Sequence, residues 1–276
     1  MAVIALTSLA GSPGVSTAAL AFGVHWQRPV VVIEADTAGV TTAMPGFFRS
    51  NLLPDLGGLD KVQAAFSRGV LTPDDILDPN RYLAIAVHQL PPIPDMPIPG
   101  LPAGHQMWVV PGFYHLGLAD GVSGLWGRLP QLLRSLSEAG IDVIIDLGRL
   151  ARDDIRLPLL DTSDKVVIMA GSTMVDLNRI YRRLEISDLN QRVAAASERY
   201  LLLLVDAAAE QLPAADFSTK VMPVLGRVPF DPQGAATFSV GRPDLKPQRN
   251  VYRQAIRRVV ADLELVTAKS DLDRSA

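Results

Sequence analysis

The sequence contains no cysteine. That excludes disulfides, thiolate metal sites and cysteine nucleophiles together, and it suits a reducing compartment. Long apolar runs are missing as well, since no stretch approaches the roughly 20 residues needed to cross a bilayer. The start, Met1–Ala10, is apolar but short, and the first basic residue is Arg28. It therefore reads as a buried first strand rather than a secretory leader. A strong charge of either sign is also lacking. The formal net charge is −3, with 20% charged and 48% hydrophobic residues, a globular balance that gives no bulk attraction to nucleic acid or to an anionic membrane. The histidines His25, His88, His105 and His115 share no metal-ligand spacing, and no serine sits in a G-x-S-x-G elbow. A soluble, cytoplasmic protein is the expectation.

What the chain does have is an alternation of short apolar runs with helix-period segments, the pattern of a parallel sheet covered on both faces. Strands are expected at Val3–Thr7, Val30–Glu34, Leu83–Val87, Met107–Val110, Val143–Asp146, Val166–Ala170, Leu201–Val205 and Val224–Val228. Helices are expected at Thr17–His25, Leu59–Ser67, Gly121–Ala139, Val175–Leu184 and Asn250–Val266. The segment Leu90–Gly104 carries six prolines and reads as an extended surface loop. The fold class is thus α/β, a mainly parallel sheet of about seven or eight strands with helices on both faces. One domain is expected over residues 1–266, followed by a polar, frayed tail over 267–276.

Four segments carry the chemistry. The first expected strand runs into Gly11-Ser12-Pro13-Gly14-Val15-Ser16-Thr17 and then an alanine- and leucine-rich helix. A glycine turn between a buried strand and a helix aims backbone N–H groups at one spot, where the helix dipole adds positive charge. Taken alone, such a loop is as easily a plain tight turn. Two further strands end in carboxylates, Glu34 with Asp36, and Asp146. A late strand runs into Val228-Pro229-Phe230-Asp231-Pro232. In a parallel sheet the strand C-termini share one edge, so Asp36, Asp146 and the loop should converge. Carboxylates beside a phosphate cradle suggest hydrated Mg²⁺, a hard cation that prefers oxygen ligands.

These segments resemble the MinD/ParA branch of P-loop ATPases, whose deviant Walker A motif reads KGGxGKTT. Aligned without a gap, Ala10 takes the signature-lysine position and Val15 the second lysine position, with Ser16 and Thr17 at the two hydroxyl positions. Glu34–Gly39 resembles the family's switch segment, DxDPQG, and Asp142–Gly148 its Walker B strand. Asp206 falls where the family has an adenine-reading Asn, and Val228–Asp231 resembles its IPYD turn. The similarity spans nearly the whole chain. It is closer to a subgroup with the loop GSPGVTT, MinD-like proteins associated with pilus-type or secretion machinery.

The resemblance implies ATP or ADP bound by Gly11, Ser12, Pro13, Gly14, Val15, Ser16, Thr17, Asp206, Pro229, Phe230 and Asp231. It implies Mg²⁺ served by Ser16, Asp36 and Asp146, and a vestigial water-orienting role for Asp36. Both lysines are absent. A charge-assisted hydrogen bond is worth roughly 1.5–3 kcal/mol, so binding should weaken about 10- to 150-fold, and Pro13 removes one more N–H donor. A cation acting on the transferring phosphoryl is worth about 10³–10⁵ in rate, so hydrolysis should be poor. The expected function is a nucleotide-binding or pseudo-ATPase module that positions or regulates a larger assembly. The alternative is an active ATPase of partitioning or septum positioning, with Arg149, Arg152 or a partner's cation in place of the lysines.

The family also implies a protein partner or a homodimer, docked through the loop face and the segment Asp36–Met44. The apolar stretch Thr41–Phe48 there reads either as a contact or as core. DNA, admitted by the cluster Arg179, Arg182 and Arg183, is not favoured. Nor is a membrane. The last helix places Val251, Tyr252, Ala255, Ile256, Val259, Val260 and Leu263 on one face, with Arg249, Arg253, Arg257 and Arg258 near the other. An acidic polar tail follows it and no bulky aromatic tips it, which favours packing on the sheet.

Overall fold

The computed structural model describes residues 1–50, 57–90, 101–115, 117, 123–185, 188–206 and 210–275. Its strands are β1 (Val3–Ser8), β2 (Val30–Glu34), β3 (Ile85–Ala86), β4 (Met107–Val110), β5 (Asp142–Arg149), β6 (Lys165–Gly171), β7 (Tyr200–Val205) and β8 (Val224–Val228). They form one sheet in the order β3-β4-β2-β5-β1-β6-β7-β8. Every pairing is parallel except β3 with β4. The chain therefore winds outward in both directions from β1, and the C-terminal ends of the parallel strands collect along one edge.

Why these runs form central strands is visible in which side chains each face buries. Val3, Ala5, Val31, Ile33, Val143, Ile145, Val166 and Ile168 enter one apolar layer. The intervening Ile4, Leu6, Val30, Val32, Ile144, Val167 and Met169 enter the other. Period-two alternation with both phases apolar is what a doubly covered sheet requires. The second layer is closed by α1 (Val15–His25) together with two later helices, Pro232–Ser239 and Val251–Ser275. The first is closed by helices Leu59–Phe66, Ser123–Glu138, Leu157–Thr162, Met174–Glu185 and Ala214–Lys220.

Three expectations change. The five-residue strand Leu83–Val87 shrinks to the two residues of β3, which runs antiparallel at the sheet edge. Leu83 spends its carbonyl on the N–H of Gly58 (3.2 Å) instead of on a ladder, and residues 87–89 turn into a 3₁₀ helix. Short edge strands of this kind offer little for another chain to pair with. The last helix does not end at Val266 but continues to Ser275. Its apolar face packs on the sheet as expected, with Ile256, Val260 and Leu263 buried. Its basic face is incomplete, however, because Arg253 is buried against Asp244 (3.1 Å) and over the ring of Phe238. Residues 91–100 of the proline-rich segment, and the first two residues of the helix expected at Gly121–Ala139, lie outside the described residues. Among the described residues no helix is long and apolar enough to cross a membrane.

At the opposite edge of the sheet, Asp142 ties three segments together. Its buried carboxylate accepts from the backbone N–H of Ala2 (2.7 Å), Nε1 of Trp26 (2.7 Å) and Nε of Arg28 (2.5 Å). Removing it leaves the Trp26 N–H without an acceptor in an apolar layer, while Arg28, about a third exposed, regains water. Asp142→Ala is expected to cost about 2–4 kcal/mol, read as a lower urea midpoint at unchanged slope. A change below about 1 kcal/mol would contradict this account of the edge.

Candidate functional site

The site is built on the turn between β1 and α1. Gly11 (φ 72°) and Gly14 (φ 87°) both lie in the left-handed region, which lets the chain curl between Leu9 and Val15 without a steric penalty. Gly14 occupies the N-cap of α1 and no side chain caps the helix. The first N–H to find a helical acceptor is that of Ala18, on the Gly14 carbonyl (2.9 Å). The preceding N–H groups of the first turn are the intrinsic orphans of a helix start, gathered at its positive end.

Two cavities flank this loop and share Gly11, Ser12, Gly14 and Thr17. The larger, about 450 Å³, lies between the loop and the ends of β6, β7 and β8, and it is lined by Asp206 and Pro229–Asp231 as well as Pro13. The smaller, about 280 Å³, lies toward the ends of β2 and β5, and it is lined by Val15, Ser16, Asp36, Gly148 and Arg149. Every residue expected to hold nucleotide lines one cavity or both, and Ser16 and Asp36 line the smaller. Asp146 lines neither. It sits beneath the loop, 1% exposed.

The carboxylates differ sharply in surroundings. Burial pushes the Asp146 carboxyl up to about 7. The Ser16 hydroxyl and the Gly148 N–H beside it pull down, while the charges of Glu34 and Asp36 push up. Oδ1 accepts from the Gly148 N–H (2.8 Å), but Oδ2 is buried with no hydrogen bond of acceptable geometry, so the Ser16 contact acts by proximity more than by a well-formed bond. An orphaned buried oxygen next to a loop hydroxyl suits a hydrated Mg²⁺, which takes oxygen ligands and keeps its waters. Among the described residues no three carboxylate or imidazole side chains form a ready-made metal cage. The residues present therefore fit a cation held in part by a ligand's own oxygens.

Glu34 has a different task from its neighbours. Its carboxylate accepts from the hydroxyls of Thr41 and Thr42 and from the N–H groups of Thr42 (3.0 Å), Ala43 (3.0 Å) and Gly112 (2.9 Å). It clamps the segment after β2 and points away from the loop. The clamp also decides the question left open for Thr41–Phe48. Ala43, Met44, Phe47 and Phe48 are buried, with the two rings edge to face, so this stretch is core.

Asp36 is placed by packing. Its Oδ1 accepts from the Ala38 N–H (2.9 Å), and its carboxylate rests on the bare Cα of Gly148, where an added Cβ would lie 2.1 Å from Oδ2. Gly148 (φ 56°) sits at an irregularity where β5 carries one residue more than β1, between the pairs Leu6–Asp146 and Ser8–Arg149. Below Asp36 lies Arg156, 1% exposed, with Nη1 4.0 Å from Asp36 Oδ1. Nη1 donates to the carbonyls of Ala35 (2.8 Å) and Leu147 (2.6 Å), and Nη2 to that of Arg149 (3.2 Å). Nε and Nη2 grip Asp154 with two bonds. Burial alone would raise Asp154, but Arg156 outweighs it and holds the carboxyl below its usual range.

In the larger cavity the acidic groups are engaged. Asp206 is paired with Arg227 (2.7 Å), and Asp231 caps the helix Pro232–Ser239 through the Gly234 N–H (2.9 Å). Phe230 is 60% exposed at the rim. Three contributors were not read from the sequence. Asp176, bonded to Thr173 (2.6 Å), had a visible signal in its Thr-x-x-Asp capping spacing. Tyr252 was read only as an apolar helix position, and Arg156 carried no signal, because its partners are carbonyls brought together by the sheet.

The fold is the α/β P-loop fold of the MinD/ParA type, an eight-stranded, mostly parallel sheet with the glycine loop between β1 and α1. Solved structures that share it include the septum site-determining protein MinD of Pyrococcus horikoshii with Mg-ADP, at a TM-score of 0.66 and 13% identity, over 95% of this chain and 96% of that one. A ParA family ATPase of Chlorobium tepidum matches at 0.65 and 13%, over 95% and 98%. The MinC:MinD cell division protein complex of Aquifex aeolicus matches at 0.55 and 13%, over 96% of each chain. At such identities the likeness is one of fold. No protein-family model matches the sequence, and no curated protein matches it either.

The raised Asp146 makes a pH prediction. Its folded value of about 7 lies above its ordinary 3.8, so the folded state holds the proton more tightly. The associated stability is full below about pH 4 and is lost as pH rises to about 7. Asp146→Asn removes this loss. The stability of the variant relative to the parent should increase by about 2–4 kcal/mol between pH 4 and pH 8, followed by thermal unfolding of ligand-free protein. A flat difference across that range would show that Asp146 is ionised throughout.

Proposed function

We propose that the chain is a MinD/ParA-like nucleotide-binding module with little or no ATPase activity of its own. It positions or regulates a larger assembly of pilus or secretion type through protein contacts. The observation that carries this reading is the pair of cavities sharing one glycine loop and lined by the nucleotide-contact positions, with neither lysine position occupied by a lysine. ATP or ADP would place its base in the larger cavity beside Phe230 and Asp206, and its phosphates along Gly11–Thr17, where backbone N–H groups and the start of α1 favour anions. Ser16, with Asp146 acting through water, would hold Mg²⁺, which when bound supplies positive charge between phosphate oxygens. Asp36 stands over the smaller cavity as the carboxylate able to orient water there.

Support for poor turnover is the charge inventory. Val15 is buried against the apolar layer under α1, and Ala10 is a methyl group at the loop entrance. The sequence-nearest lysine, Lys61, belongs to the helix Leu59–Phe66 on the other side of the sheet. Protein contact as the output is supported by the fold, which MinD presents to MinC in the Aquifex aeolicus complex. It is also supported by exposed apolar side chains near the loop edge, Val40, Met174 and Val175.

The test is ATP affinity by calorimetry together with phosphate release. Val15→Lys should tighten ATP binding about tenfold or more through one charge-assisted contact, with Val15→Met as the control for size. Turnover should stay low until Ala10→Lys is added, because ground-state binding and transition-state charge stabilisation are separate tasks. Parent turnover on the order of 1 s⁻¹ or above would overturn the pseudo-ATPase reading in favour of an active ATPase of partitioning or septum positioning.

A further inference from the structure

We propose that Arg149 reads the terminal phosphate of a bound nucleoside triphosphate and makes the module selective for triphosphate over diphosphate. This rests on the nucleotide-binding reading above and adds to it the group that distinguishes the two nucleotide states.

Charge points to this residue. Among the described residues lining the two cavities, Arg149 carries the sole positive charge. The acidic residues that line them each have a partner: Asp36 the Ala38 N–H, Asp176 Thr173, Asp206 Arg227 and Asp231 the Gly234 N–H. The Arg149 side chain is exposed, and no hydrogen bond or ion pair to its guanidinium occurs among the described residues. Arg227 on β8, beside the larger cavity's Asp206, is already spent on Asp206 and the Leu212 carbonyl.

The backbone of Arg149 is as fixed as its side chain is free. It pairs in register with Ser8 of β1, the residue that begins the loop. Its carbonyl accepts from buried Arg156, and the following N–H, of Leu150, donates to the Ser8 carbonyl (3.0 Å). The Arg149 backbone is thus held beside the loop, and its side chain lines the smaller cavity. A nucleotide with its base in the larger cavity crosses the loop with its inner phosphates and brings its last phosphate toward this side. A diphosphate ends at the loop, whose N–H groups are common to both cavities. Only the triphosphate reaches Arg149, where the planar fork of donors suits two phosphate oxygens at once. The buried Oδ2 of Asp146 below Ser16 suits a cation on this side of the loop, which would accompany the phosphates that Arg149 reads.

The experiment is calorimetry of Mg-ADP and of an Mg-bound ATP analogue with a non-hydrolysable β–γ bridge. The parent is compared with Arg149→Ala and Arg149→Lys, each confirmed as folded by its melting curve. The parent is expected to prefer the triphosphate by about tenfold, the low end for one charge-assisted contact because the site is open to water. Arg149→Ala should bring triphosphate affinity down to the diphosphate value while changing diphosphate affinity less than about twofold. Arg149→Lys should keep part of the preference. A parent that binds diphosphate but shows no preference, or an Arg149→Ala variant that weakens both ligands equally or neither, overturns the assignment and leaves the nucleotide-binding reading standing. A parent that binds neither ligand removes both.

Discussion

The guanidinium of Arg156 is buried at the carboxyl ends of β2 and β5, and the working edge of the molecule is arranged around it. It gives its N–H groups to the carbonyls of Ala35, Leu147 and Arg149 and to Asp154. A charge in that position is tolerable only when its donors are satisfied and a counterion is close, and both conditions hold. The carbonyls it binds belong to the residues immediately before Asp36, before Gly148 and at Arg149. One buried cation therefore sets the height of the Asp36 carboxylate, of the glycine on which that carboxylate rests and of the exposed arginine beside it. Because the bonds run to backbone, the arrangement does not depend on which side chains the strand ends carry.

Electrostatically the edge is economical with positive charge. The helix start and the loop N–H groups supply partial charges, Arg149 supplies a full one, and Arg156 and Arg227 are tied to Asp154 and Asp206. Such a site can hold an anion without a lysine, since a backbone cradle costs no reorganisation when the ligand arrives. Asp146 is a carboxyl raised by burial and by neighbouring acids, which a cation near Ser16 would draw back toward its ionised form.

Much of this was legible in the sequence. A run such as Val30–Glu34 shows its boundaries directly, because apolar residues in both phases leave no other way to bury it. The glycine loop and the strand-end acids were legible for the same reason, since a parallel sheet must put them on one edge. Leu83–Val87 was misjudged because an edge strand is limited by its neighbours rather than by its own composition. Arg253 was misjudged because a helical wheel assigns charge to solvent unless a partner such as Asp244, nine residues away and in a separate turn, comes back to meet it.

The sequence by itself determined the fold class and the identity of the loop, because hydrophobic periodicity and glycine placement are local and leave few alternatives. Tertiary structure alone decided what each polar residue does there. Glu34 and Asp36 are two residues apart on one strand end, yet one clamps Thr41–Ala43 and the other faces the cavity. Asp146 ends a buried strand run in either view, but only the structure shows the burial and neighbouring acids that raise its proton affinity. Arg149 and Arg156 look alike in a chain of 276 residues. One lies at the start of the helix Leu157–Thr162 and folds back among strand-end carbonyls, and the other ends β5 and stays exposed, because only the tertiary path brings acceptors to the first.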